Sequence, residues 1–147
     1  MTRTFSQKPK DVSRSWYIID AASAPLGRVA TTAASLLLGK GKPTITSHVD
    51  SGDFVIIINA QNLVTTGGKE SKKIYHRHSG FPGGIYSRTL SEQQKMDASK
   101  VLYKAVRGML PNNKLRSGRL ARLKIYPSQE HNHTAQKPIG IPVKGAK

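Results

Sequence analysis

The chain is 147 residues long, enough for one domain that buries about two thirds of the surface its unfolded form exposes. It carries 24 Lys and Arg against 8 Asp and Glu, a formal charge of +16, and no cysteine. That surplus calls for an anionic partner, and the missing thiols exclude disulfides and thiolate metal sites and fit a reducing compartment.

The N-terminal stretch MTRTFSQKPKDVSRSW has no apolar core of a signal peptide, so a cytoplasmic protein is expected; its basic, Ser-containing make-up leaves an organellar address as the alternative. WYIIDA, residues 16–21, is a short β-rich run. From Leu26 to Leu38 apolar residues recur at Leu26, Val29, Ala30, Ala33 and Leu37, a helical spacing closed by Gly39 as C-terminal cap. FVIIINA, residues 54–60, is apolar almost throughout, as a strand covered on both faces is. LVTTG follows after Gln61 and Asn62 as a third run, and KKIYHRH, residues 72–78, reads as a further extended segment at an edge.

The next helix is predicted from Asp97 as N-cap, with Ala98, Val101, Leu102, Ala105 and Met109 on an inward face and Lys100, Lys104 and Arg107 on the opposite, cationic one. Pro111 stops it, and LKIYP, residues 123–127, offers one more strand. Strands alternating with helices argue for a mostly parallel sheet with helices packed on it. A single domain over residues 1–147 is expected, its core from about 14 to 136; residues 1–15 and 137–147 read as tails rich in Pro, Lys and Ser or Gly.

Charge is unevenly placed. Residues 98–147 hold eleven Lys or Arg and one acid, Glu130, whereas residues 16–71 balance four cations against four acids. This predicts a neutral scaffold with a basic C-terminal face. The longest apolar run is only strand-length, which argues against a membrane partner and leaves nucleic acid ahead of an acidic protein.

Four histidines stand in two H-x-H pairs, His76 with His78 and His131 with His133. Zinc sites of the structural kind usually draw on cysteine, so phosphate contact or base stacking is preferred over a metal here. Asp20, Asp50 and Asp53 can be drawn as a two-metal nuclease; the preferred reading is that Asp50 and Asp53 form a turn before a strand and Asp20 caps a loop. AASAPLGR and GKGKPT lack the spacing of dinucleotide and P-loop motifs, so no cofactor and no small-molecule substrate are expected. The segments GKGK, HRHSGFPGG and RGMLPNNKLRSGRLARLK instead combine cations with Gly, Asn and Ser. Arg offers a planar fork to phosphate oxygens, and small residues let backbone come close. Phe81, Tyr75 and Tyr86 are candidates for stacking, with packing on the body preferred for Tyr75.

The motifs RSWYIIDA, LGRVAT, HVDSGDFVIIINA, YHRHSGFPGG, RGMLPNNKL and LKIYPSQEHNHTAQKP, in this order from Arg14 to Pro138, resemble the bacterial large-subunit ribosomal protein family L-thirteen. The resemblance implies a three-layer α/β domain whose central parallel four-stranded sheet is flanked by helices. Its strands are implied at 16–21, 54–59, 63–66 and 124–126, in spatial order 3-2-1-4. It implies a structural, non-enzymatic component of the large subunit that joins early in assembly and contacts 23S rRNA and neighbouring ribosomal proteins. The residues expected at the RNA are Lys40, Lys42, His76, Arg77, His78, Gly80, Gly83, Gly84, Arg107, Lys114, Arg116, Arg119, Arg122, His131 and His133. Little base readout is expected, with RNA shape supplying specificity. The competing classes are a metal-dependent nuclease and a DNA-compacting protein.

Overall fold

The computed structural model describes residues 5–143. Strand β1 (Trp16–Asp20) leads through Pro25 into helix α1 (Leu26–Leu38), whose bounds are those the apolar spacing predicts. Gly39 closes α1 at φ 76°, its N–H reaching the Leu36 carbonyl. Strand β2 (Phe54–Ile58) runs parallel to β1 in the register Trp16↔Phe54 to Asp20↔Ile58. Its middle three residues are buried, which explains the unbroken apolar run.

The chain then makes a 3₁₀ turn at Ala60–Asn62 and a short helix α2 (Lys69–Lys72), followed by a hairpin of β3 (Ile74–His78) and β4 (Ile85–Thr89). Helix α3 (Leu90–Met109) opens with a reciprocal cap, the Thr89 hydroxyl accepting from the Glu92 N–H and the Glu92 carboxylate from the Thr89 N–H. Helix α4 (Arg116–Ala121), strand β5 (Leu123–Ile125) and strand β6 (Ile139–Gly140) complete the described fold.

The sheet order is β5-β2-β1-β6, with all three pairings parallel. Numbered along the chain, its four strands stand 3-2-1-4 as expected; three are the expected segments, but the one expected at 124–126 takes the place beside β2 expected for 63–66, and the fourth strand is 139–140. Leu63–Thr66 contributes a single bridge, Pro25 to Val64. Asn59 turns out of β2 in the left-handed conformation, and the N–H groups of Ala60 and Gln61 bond to Tyr126 and Pro127 carbonyls. The β5 segment therefore takes the edge of β2. The far edge of β1 is filled by Ile139–Gly140, from the stretch expected to be a tail, and Val143 beyond it is buried. At the other end Gln7 is also buried and accepts a hydrogen bond from the Ser51 hydroxyl.

Ile19, Val55, Ile57 and Leu123 share one sheet face and join the core built with α1 and α3. On the opposite face Trp16 stacks on Phe54 at 4.2 Å, and His133 lies tilted against Trp16 at 5.0 Å. Helix α3 is kinked at Asp97, whose φ of −161° and ψ of 94° are extended. Asp97 Oδ1 accepts from the Lys100 N–H, so Asp97 does cap a helical stretch, but seven residues of helix precede it. The inward face of that stretch is Ala98, Val101, Leu102 and Val106. Met109, expected there, is 43% exposed and faces Thr31 at the edge of α1. Among the described residues no helix is long and apolar enough to cross a membrane.

Candidate nucleic-acid interface

The hairpin places its cations by strand alternation. Tyr75 pairs with Arg88 and Arg77 with Tyr86, so these four side chains share one face, while His76 and His78 lie on the other with Ser87 and Ile85. The first face looks onto α3 across a groove of about 760 Å³ whose far wall includes Met96, Asp97, Lys100 and Lys104. Tyr75 is half-buried against the core, as preferred from sequence, and burial pushes its hydroxyl pKa up. Its ring carries the Lys104 ammonium at 4.6 Å and the Lys73 ammonium at 5.4 Å from the centroid. Phe81 and Tyr86 are exposed.

Lys100, Lys104 and Arg107 repeat at helical spacing along the solvent side of α3 and are all exposed. They join the hairpin groove to a second depression, of about 660 Å³, where Arg107, Lys114 and Arg116 meet Tyr103 and Asn113. The one acid lining either depression is Asp97. It is spent on Lys100, 3.1 Å away. Burial raises the Asp97 carboxyl pKa, but hydrogen bonds and charge from Lys100 outweigh it and hold the group below its ordinary value. Lys40 is exposed beside a separate shallow pocket lined by Ile45, Met109 and Asn113.

Three of the expected RNA contacts are committed inside the protein, two buried and one partly buried. Arg119 and Arg122 are 4% and 8% exposed, respectively. Arg122 grips Asp50 through both terminal nitrogens and also donates to the carbonyls of Leu37 and Asp53, while Arg119 Nε lies 3.4 Å from Asp50. Burial pushes the Asp50 carboxyl up, yet the Arg122 hydrogen bonds and the two guanidinium charges prevail and hold it below the usual carboxylate value. Lys42 bonds Asp53 at 2.6 Å and the carbonyls of Ser13 and Ser51. These cations tie α1, β5 and the loop before β2 together, and their charges are already matched by Asp50 and Asp53.

The glycines and histidines are likewise partly committed. Gly80 and Gly83, at φ 94° and 71°, take the left-handed turns of the hairpin tip. The Gly80 N–H donates to His78 Nδ1 and the Gly84 N–H to the Phe81 carbonyl, so these groups serve the loop rather than a phosphate. His76 Nδ1 is 2.8 Å from the Ser87 hydroxyl, and both His76 and His78 are exposed. His131 and His133 are half-buried, with His133 Nε2 at 3.1 Å from the Tyr126 hydroxyl. Among the described residues no three His, Asp or Glu side chains gather as metal ligands. Asp20 accepts from the Ala22 N–H and the Asn59 amide, Asp50 from arginines, and Asp53 from Lys42 and the Ser15 N–H. The three carboxylates have separate structural partners: Asp20 caps the loop after β1 as expected, whereas Asp50 and Asp53, expected to form a turn, stand in an irregular segment and are held by cations instead.

Tyr86, a stacking candidate from the sequence, and Arg88, which the sequence does not single out because IYSRT is not assigned as a strand there, both belong to the groove. The signal was present: SGFPGG is a turn between two β-rich runs, and Thr89 with Glu92 has the spacing of a capping box.

Comparison with known proteins gives one answer. The sequence model described as Ribosomal protein L13 matches residues 14–132. A protein of Cupriavidus metallidurans named large ribosomal subunit protein uL13 is 52% identical over 136 residues, covering 92% of this chain and 96% of its own. Proteins of the same name from Neisseria gonorrhoeae and Kocuria rhizophila are 51% and 50% identical, covering 97% and 92% of this chain and 99% and 92% of their own.

Proposed function

The chain belongs to the ribosomal protein L13 family, and we propose that it binds 23S rRNA through the cationic face of α3, the β3–β4 hairpin and the loop before α4. It is a structural constituent of the large ribosomal subunit, and its family is not one of enzymes. The observation that carries the proposal is the run of exposed cations from Arg77 and Arg88 through Lys100, Lys104 and Arg107 to Lys114, with the half-buried Arg116 at its end. The acid within it, Asp97, is already paired. A face of this kind repels itself in isolation and gains from phosphate through counterion release.

The body holds this face rigid, and the Asp50 cluster fixes α4 behind Lys114 and Arg116. RNA helices that converge there are drawn together as their phosphates are neutralised, which supports an early place in subunit assembly. Neighbouring ribosomal proteins are the proposed partners beyond the RNA, and cytoplasmic ribosomes the proposed location. Gradient sedimentation of a cell lysate tests the reading: the protein is expected with large subunits at moderate salt. Recovery with bulk DNA, or magnesium-dependent RNA cleavage by the purified chain, would favour one of the competing classes.

A further inference from the structure

Resting on the RNA-binding reading above, we propose that the groove between the β3–β4 hairpin and α3 receives a single unpaired nucleotide, its base on the Tyr86 ring and its phosphate among Arg77, Arg88 and Lys104. The groove's volume of about 760 Å³ lies within the roughly 300–1,000 Å³ of small-ligand pockets. Its two tyrosines differ in availability. Tyr75 is half-buried and carries two ammonium groups on its ring. Tyr86 is 62% exposed and, among the described residues, makes no ring or cation contact. Met96, 64% exposed on the opposing wall, adds a soft apolar surface against which a flat base packs.

The cations are disposed for a phosphate. Arg77 lies directly across the strand pair from Tyr86, and Arg88 directly across from Tyr75. Neither arginine has a carboxylate partner among the described residues, and Lys104 is held over Tyr75 at the groove's inner side. A duplex keeps its bases stacked inside and offers only its backbone, which leaves the Tyr86 and Met96 surfaces uncovered; an unpaired residue covers both. An acidic peptide satisfies the arginines but brings no planar partner for Tyr86.

The test uses the full chain with two short RNA duplexes, one continuous and one carrying a single 2-aminopurine bulge. The bulged RNA is expected to bind on the order of tenfold more tightly, with quenching of the 2-aminopurine fluorescence. Tyr86→Leu removes both the preference and the quench while Tyr86→Phe keeps them, and neither changes binding to the continuous duplex or the thermal melting of the protein. Equal, salt-dependent affinity for the two RNAs overturns the groove assignment and leaves the RNA-binding reading standing. Loss of the bulge preference to a poly-glutamate competitor that spares duplex binding, without any quench in its absence, assigns the groove to an acidic segment instead. Failure to bind either RNA at low salt overturns the underlying reading along with this one.

Discussion

The Asp50 carboxylate receives both terminal nitrogens of the Arg122 guanidinium, at 2.5 and 2.7 Å, across 72 residues of chain. One nitrogen of the same guanidinium reaches the Leu37 carbonyl at the end of α1, where a cation also complements the helix dipole. A single charged pair thus links the loop before β2, the last turn of α1 and the start of β5. Removing the carboxylate leaves two guanidinium groups with little water to take its place. Asp50→Asn is expected to cost about 3 kcal/mol, read as a lowered urea midpoint with an unchanged slope.

Acid exposes the same contact. The folded-state pKa of Asp50 is depressed, so its contribution is complete above the unfolded value, near 3.8, and is lost as pH falls below that through the folded value. The stability of the native protein should therefore drop more steeply below about pH 4 than that of Asp50→Asn, in paired urea titrations from pH 6 to pH 2.5. Parallel curves would separate Asp50 from acid sensitivity.

Gly52 sits where the loop crosses α1. A Cβ there would stand 1.8 Å from the Leu37 carbonyl oxygen, and Asp53, the next residue, donates its N–H to Leu36. The closest approach is backbone on backbone, which cannot swing aside as a side chain can, and the Arg122 guanidinium stands only 3.1 Å away as well. Gly52→Ala is expected to cost about 2–3 kcal/mol by overpacking, measurable as a lower thermal midpoint.

Helix α3 offers a paired test of its inward face. Val106 is fully buried and Met109 is 43% exposed. Val106→Asp should cost about 4 kcal/mol or more through an unpaired buried charge, whereas Met109→Asp should stay within about 1 kcal/mol. Equal losses in the two variants would place both positions in the core.

Arg107, Lys114 and Arg116 lie around one depression, away from the Asp50 cluster. Their joint replacement by alanine should leave thermal melting within a degree or two. It should also make the salt dependence of rRNA binding shallower by about 2–3 in log–log slope, near one unit per lost phosphate contact. Including Arg119 or Arg122 in the set would confound this measurement, since those two changes attack the fold.

What could be read from the chain follows from how local each cause is. Helix α1 was legible to the residue because its apolar spacing and its closing glycine both lie within it. The Asp97 cap was legible for the same reason, but the turns before it, LSEQQKM, carry few apolar residues and no clear periodicity. Strand β6 is two residues long and exists through its pairing with Tyr17 and Ile18, more than a hundred residues away in sequence. The candidate interface divides likewise. Arg116, Arg119 and Arg122 look like one basic series, yet only Arg116 stays clear of Asp50, whose distance along the chain hides the pairing. Half of the hairpin was visible and half was not, since IYSRT has only the loose alternation of an exposed strand.

The parallel pairing of β6 on β1 sets the order of events during synthesis. Tyr17 and Ile18 emerge from the ribosome more than a hundred residues before Ile139 and Gly140, which cover their free edge. Until then a growing chain exposes an unpaired row of N–H and C=O groups along its most central apolar strands, the arrangement that recruits foreign strands. A premature stop ahead of Ile139 would thus yield a product with nearly all of its core sequence and an open, self-templating edge.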